Sequence, residues 1–207
     1  MRPVAMSMTR PLPFVLAVLA AIWLAMLLLG AGPVDRSVLL ALYAGDEPWL
    51  ALAAIGLSYL GTWPTVVVVI IVGAVWLLYR GKRRAALVLL IASFSGRLLV
   101  ILEKAYFARL RPEENLRLVE VHYQSFPSGH SANSMIAFLA IALLAFDDPA
   151  HRRWAVAGAV LLSLLTGLSR PMLGVHWPSD VVAGWAFGLF WTLLVVSLSS
   201  RWERRAR

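Results

Sequence analysis

The chain has 207 residues, 60 % of them hydrophobic and 14 % charged, with a mean hydropathy of +0.77, which excludes an ordinary soluble domain. Its net charge of +8 does not indicate nucleic acid, because most Lys and Arg fall in short connectors between apolar runs and no base-reading motif occurs. There is no cysteine, so disulfides, thiolate metal sites and cysteine nucleophiles are excluded.

The expected fold class is all-α, a polytopic membrane protein of six transmembrane helices, with short interfacial or re-entrant helices in 35–60. A single domain covers 1–207. The first apolar run, 12–31, follows Arg2 and Arg10 and ends at Gly30, Gly32 and Pro33. It is long for a signal-peptide core and further spans follow, so it reads as an uncleaved span. The segments 38–43 and 49–59 are too short to cross a bilayer, which takes roughly 20 apolar residues. They lie on either side of Asp46-Glu47-Pro48, with Trp49, Tyr59 and Trp63 at headgroup level.

The second span is 63–79, with Pro64 near its start. Its valine-rich 66–71 run would read as a strand in water. In lipid every backbone group must be bonded internally, so a helix is expected. Spans at 85–107, 129–146, 153–169 and 180–199 complete the set. Gly158, Gly167, Gly184 and Gly188 are expected to let helices approach closely.

Charge sets the orientation. Arg2, Arg10, the 80–84 connector, Arg152, Arg153, Arg201, Arg204, Arg205 and Arg207 fall on one side. The other side keeps Arg36, Arg109 and Arg117 besides the cations of the clusters described next. By the positive-inside rule both termini are cytoplasmic. The same topology puts three polar clusters on the outer face, although they were not used to set it.

Those clusters carry the chemistry. In Ser169-Arg170-x5-His176-x3-Asp180, a spacing of four puts His176 and Asp180 on one face of a helical turn. Asp180 then accepts from one imidazole nitrogen and leaves the other lone pair free to attack phosphorus. Pro178 suits the first turn of the helix that follows, and Arg170 offers a donor fork matched to phosphate oxygens. In Pro127-Ser128-Gly129-His130, a turn opens into a helix with Ser128 as N-cap. The backbone N–H groups there form an anion site, and His130 is placed to protonate a leaving oxygen. In Lys104-x6-Arg111-Pro112, two cations stand at a helix end that Pro112 terminates. Each cluster alone has a plainer reading: an interface helix cap, a common Pro-Ser-Gly turn, and cations snorkelling to headgroups.

Together, in this order and spacing, K-x6-RP, PSGH and SR-x5-H-x3-D resemble the signature of the type-2 phosphatidic acid phosphatase superfamily. These are membrane lipid-phosphate phosphatases whose site is similar to that of vanadium-dependent haloperoxidases. The resemblance covers about 63–199. It implies that His176 is the nucleophile, forming a phosphohistidine, and that Asp180 orients it. His130 would protonate the leaving group and later activate water. Lys104, Arg111 and Arg170 would hold the phosphate oxygens, with Ser128 and the Gly129 backbone completing the cradle.

The implied function is hydrolysis of a lipid phosphate or pyrophosphate at the outer face of a bacterial cytoplasmic membrane. Undecaprenyl pyrophosphate is the favoured substrate. Phosphatidylglycerophosphate, phosphatidic acid and a lipid A phosphate are alternatives. A lipid phosphotransferase would carry the same motifs, and an anionic-lipid transporter would leave the paired histidines unexplained. No Asp/Glu/His group has metal-ligand spacing, so neither metal nor cofactor is expected.

Several residues stay outside this reading. Arg97, seven residues before Lys104, is either functional by virtue of its depth or an interhelix bond donor. His122 reads as a polar loop residue or a headgroup contact, and His151 lies with Asp147 and Asp148 far from the clusters. Glu113, Glu114 and Glu120 solubilise the outer loop. Trp177 is either an interface anchor or part of the pocket entrance.

Overall fold

The computed structural model describes residues 11–205. Arg2, Arg10 and Arg207 of the expected cytoplasmic flanks lie outside the described residues, as do the side chains of Arg204 and Arg205. Eight α-helices run in chain order: α1 Leu12–Leu29, α2 Pro33–Leu42, α3 Pro48–Tyr59, α4 Trp63–Tyr79, α5 Arg83–Phe107, α6 Gly129–Ala145, α7 Pro149–Met172 and α8 Pro178–Arg205. A short 3-10 turn, Glu114–Leu116, interrupts the long α5–α6 loop. No strand occurs among the described residues.

The helix starts follow from local chemistry. α1, α2, α3, α4, α7 and α8 each carry proline in their first two positions, where its fixed φ suits the helix and its missing N–H has no partner to lose. α6 begins instead with Ser128 as N-cap, accepting from the Ser131 N–H at 3.5 Å. α5 stops where Ala108 turns left-handed (φ 48°) and its N–H bonds the Lys104 carbonyl at 3.1 Å, an αL cap of the kind glycine usually supplies.

Four helices, α1, α5, α7 and α8, are long and apolar enough to cross a bilayer. The number is five if α3 and α4, which meet at a 46° bend, form one broken span. Each of the six expected spans coincides with a helix, but the structure supports four to five spans rather than six, because α4 and α6 have only 17 residues each. α7 also begins earlier than expected, at Pro149. Asp148 caps it by accepting from the His151 N–H at 2.9 Å, so most of the expected connector is helical. At its other end α7 continues through Pro171, which keeps Arg170 in the last helical turn.

α6 is the axis of the bundle. Twelve of its seventeen residues are buried, and α4, α5, α7 and α8 pack around it. Val66, Ile70, Leu77, Leu89 and Ala137 form one core between α4, α5 and α6. Ala92, Val100, Ile136 and Phe187 form a second against α8, joined by Trp23 of α1. The α6–α8 crossing depends on missing side chains: a Cβ at Gly184 would stand 2.6 Å from the Ser128 carbonyl, and one at Gly188 2.7 Å from Met135 Cβ. Gly167 likewise faces Trp185, but Gly158 has nothing within 4 Å and does not serve packing.

The outward faces are apolar. Phe14, Val68, Val72, Leu87 and Leu98 are all more than half exposed, as expected of helices solvated by lipid. Exposed aromatics collect at both ends of the bundle. Tyr79, Trp154 and Trp202 mark one end, and Tyr59, Tyr106 and Tyr123 the other, in the pattern of two interfacial belts. Lys82, expected only as an orienting charge, also donates to the carbonyls of Leu144 and Ala145 (3.4 and 3.0 Å) and to Asp147 (2.7 Å). It thereby satisfies the open C-terminal end of α6.

Candidate active site

The three clusters meet at the Tyr59–Tyr123 end, around a cavity of about 390 Å3. Lys104, Arg111, Gly129, His130, Arg170 and His176 all line it. They come from the end of α5, the loop after it, the start of α6, the end of α7 and the α7–α8 turn. Antiparallel neighbours explain this: α5 and α7 finish at the end where α6 and α8 begin. Ser128 and Asp180 are fully buried behind the cavity wall.

His176 is 2 % exposed, with Nδ1 3.3 Å from Asp180 Oδ2 and 3.3 Å from Ser125 Oγ. Asp180 Oδ2 also accepts from the Ser125 hydroxyl and, at 3.1 Å, from the Trp177 N–H. Its Oδ1 accepts from Arg109 Nη1 at 2.9 Å. A carboxylate with these partners is an acceptor for the imidazole, so the matching tautomer carries its proton on Nδ1 and leaves Nε2 as a lone pair. Burial, followed by the charges of Arg111, Lys104 and Arg170, holds the imidazole well below its ordinary value of 6.5. His176 is therefore neutral at pH 7.

Lys104 and Arg111 are fixed by backbone oxygens, Arg170 by a hydroxyl. Lys104 Nζ donates to the carbonyls of Gln124 (2.6 Å) and Ser125 (3.1 Å). Arg111 donates to the Tyr123 carbonyl through Nε and to the Val175 carbonyl through Nη1, both at 2.5 Å. Burial and Arg117 bring Arg111 down to about 10, which leaves it charged at neutral pH. Arg170 is 4 % exposed, donates to Ser58 Oγ through Nη1, and has an Nε with no partner among the described residues. Each cation thus has one side committed to the fold while the residue also faces the cavity. Ser128 links the two helix starts, its N–H donating to the Asp180 carbonyl at 2.9 Å while its hydroxyl caps α6.

Other residues fall differently from the sequence reading. His122 and Glu120 line the cavity, in addition to belonging to the outer loop. Glu113 and Glu114 pair with Arg36 and Arg117 at 3.1 and 3.3 Å. Trp177 is buried and donates to the Leu110 carbonyl at 2.9 Å, so it ties the loop after α5 to the α7–α8 turn. His151 pairs with Asp148 at the far end. Among the described residues no group of three His, Asp or Glu side chains is placed to hold a metal ion.

A supporting set was not visible in the sequence. Arg109, besides meeting Asp180, donates to Ser179 Oγ (3.2 Å) and to the carbonyls of Met26 (3.0 Å) and Leu27 (2.6 Å) at the end of α1. Asp35 is 8 % exposed and accepts from the Ser179 N–H at 2.9 Å, the Ser179 hydroxyl and the Ala31 N–H at 2.6 Å. It therefore caps the start of α8, where Asp180 sits. The only hint was a carboxylate in an apolar N-terminal region, with nothing to identify its partner 144 residues away.

Comparison with known proteins agrees with this geometry. The PAP2 superfamily matches residues 81–204, a segment that contains all three clusters. Phosphatidylglycerophosphatase B of Bacillus subtilis is 31 % identical over 82 % of this chain and 85 % of its own length. An undecaprenyl-diphosphatase of Sulfolobus acidocaldarius is 29 % identical over 62 % of each chain. The crystal structure of the PAP2-type phosphatidylglycerolphosphate phosphatase of B. subtilis superposes with a TM-score of 0.81 at 28 % identity, covering 91 % of this chain and 97 % of that one. With the clusters gathered at one cavity and more than half of the chain matched, the protein belongs to the PAP2 superfamily.

Proposed function

We propose that this chain is a lipid phosphatase that works through a phosphohistidine at His176. The observation that carries the reading is His176 itself, neutral, backed by Asp180 and facing a cavity lined by Lys104, Arg111, Arg170 and His130. In the first step His176 Nε2 attacks phosphorus and the bond to the lipid oxygen breaks. His130 gives that oxygen a proton. In the second step His130 takes a proton from water, which attacks the phosphohistidine, releases phosphate and restores His176. Lys104, Arg111, Arg170 and the N–H groups at the α6 start stabilise the charge on the equatorial oxygens. Ser128 serves by holding that helix start.

The membrane reading goes with it. Six spans, α4 and α6 among them, would form one domain with its family core at about 63–199. The site end would face outward across the bacterial cytoplasmic membrane, with the basic connectors at 80–84 and 152–153 inside. Two lipids lead as substrates. Undecaprenyl pyrophosphate is favoured by the analogy of small outward-facing members. Phosphatidylglycerophosphate is favoured by the relative that shares most of its length with this chain.

The test is phosphate release by purified protein in detergent with EDTA, comparing those two lipids and phosphatidic acid. Release that His176→Ala abolishes establishes the enzyme, and the ranking of kcat/KM selects the substrate. No release from any lipid overturns the reading.

A further inference from the structure

The cavity holds one cation more than a single phosphoryl group requires. Arg97 lies on α5 seven residues before Lys104, about 10 Å further along the helix. Its side chain reaches back into the cavity, where its guanidinium carbon stands 4.9 Å from the Trp63 ring centroid. A Cβ placed on Gly129 would lie 3.6 Å from Arg97 Nη1, 3.7 Å from Asn133 Nδ2 and 3.8 Å from Lys104 Cε. Three side chains thus converge on the first residue of α6.

Two of the three have no hydrogen-bond partner for their polar side-chain groups among the described residues. The Arg97 guanidinium makes no hydrogen bond or ion pair among the described residues; its contact is the Trp63 ring face. Interhelix bonding, one of its two sequence readings, is therefore not its role. Asn133 is 4 % exposed, makes no side-chain hydrogen bond, and has a buried Oδ1 without a partner. Its amide lines the cavity. A buried amide left open in this way ordinarily has a partner to come, and the group it offers an anion is the Nδ2 donor that faces the α6 start beside the half-buried Arg97 guanidinium.

Charge points the same way. Arg97, Lys104, Arg111 and Arg170 line the cavity against one carboxylate, Glu120. A phosphomonoester carries close to −2 at neutral pH, which three cations and a helix start already match. A fourth cation at close range adds repulsion unless the ligand brings further negative charge.

We propose that Arg97 and Asn133 form a second anion subsite that holds the inner phosphoryl group of a diphosphate ester of a lipid alcohol. The proposal rests on the phosphatase reading above. The subsite lies on the bilayer side of the cavity, because α5 approaches the site from the membrane interior and Arg97 precedes Lys104. The outer phosphoryl group then meets His176 and the inner one Arg97, beside the Trp63 ring.

The chemistry differs between the two ester types. In a diphosphate, the His176 N–P bond forms as the bond from the outer phosphorus to the bridging oxygen breaks. The electron pair stays on that oxygen, which departs as part of a lipid monophosphate. Arg97 stabilises its added charge and no proton is required at that moment. In a monoester the departing oxygen is an alkoxide and must take the His130 proton. Diphosphate turnover should thus lean on Arg97, and monoester turnover on His130.

Farnesyl pyrophosphate and farnesyl phosphate share one tail and differ by one phosphoryl group, so they isolate the subsite. Arg97→Met is expected to lower kcat/KM for the pyrophosphate at least tenfold more than for the phosphate, with Arg97→Lys recovering part of the difference. Asn133→Asp, which puts a carboxylate there, should shift the ratio in the same direction. Equal losses on both substrates in these variants overturn the subsite. Binding of the two probes to His176→Ala protein gives the same comparison without turnover. If wild-type protein releases phosphate from neither probe, the phosphatase reading fails. The subsite then stands or falls on whether Arg97→Met weakens pyrophosphate binding more than phosphate binding.

Discussion

Arg109 and Asp180 form a buried ion pair, Nη1 to Oδ1 at 2.9 Å, with side chains 10 % and 0 % exposed. The pair lies directly behind His176, and the same guanidinium closes the end of α1 through the Met26 and Leu27 carbonyls. Removing one member of a buried pair leaves the other charge without compensation, at a cost of about 3–5 kcal/mol. Arg109→Met is therefore expected to lower the unfolding midpoint in detergent and to slow phosphohistidine formation, while Arg109→Lys retains part of both. An Arg109→Met protein as stable and as fast as wild type would show that Asp180 needs no counter-ion.

His176→Ala should abolish the phosphoenzyme trapped by rapid acid-free quenching, since His176 is the cavity imidazole that a carboxylate, Asp180, backs. His130→Ala should form it slowly and hydrolyse it slowly, by about 10²–10⁴-fold, with inorganic phosphate still binding. Trapped phosphoenzyme in His176→Ala would move the nucleophile elsewhere.

The depressed position of His176 has a definite sign in pH experiments. Folded His176 gains its proton well below 6.5, whereas the unfolded side chain gains it near 6.5. Between those values the unfolded state binds more protons, so stability falls as pH drops below 6.5. His176→Ala should remove that part of the slope. In kcat/KM profiles, the acid limb belonging to His176 should lie below pH 6.5. A His176 imidazole that NMR shows titrating at or above pH 6.5 in the folded wild-type protein would contradict the burial argument.

Turnover is expected to persist in EDTA and to be inhibited by vanadate, which adopts the five-coordinate geometry of phosphorus under attack by His176 Nε2. Loss of activity in EDTA that a divalent ion restores would require a different mechanism.

Gly184 offers a test of the scaffold alone. Its absent Cβ would stand 2.6 Å from the Ser128 carbonyl and 2.8 Å from Ser131 Cβ. Gly184→Ala must push α8 away from α6 at the point where Ser128 N–H meets the Asp180 carbonyl. Overpacking of this kind costs about 1–3 kcal/mol, and activity should fall with it. An unaffected variant would mean the α6–α8 crossing can relax locally.

Much of this arrangement was legible in the sequence. Apolar length and proline placement located α1, α4, α5 and α6 to within two residues at each end, and the start but not the end of α8; the three motifs contain three of the four cavity-lining cations and two of the three cavity-lining histidines. The start of α7 was misread because Asp148-Pro149 looked like connector polarity rather than a cap followed by a helix-compatible proline. Arg109 passed as an outer-face charge because nothing in the spacing reveals a partner 71 residues on. Asp35 and Ser58 were missed for the same reason. Patterns of period 3.6 report which face is apolar, but the pairing of isolated polar groups across helices is settled only by packing.

The supports of the site reach beyond the segment that the superfamily match covers. That match begins at residue 81, yet Ser58 meets Arg170, Asp35 caps the turn carrying Asp180, and the α1 carbonyls hold Arg109. A chimera that joined residues 81–204 to another member's first helices would inherit every motif residue while losing the groups that aim them. Exchange of N-terminal regions between members should therefore succeed only where the donor brings a carboxylate and a hydroxyl at the places of Asp35 and Ser58.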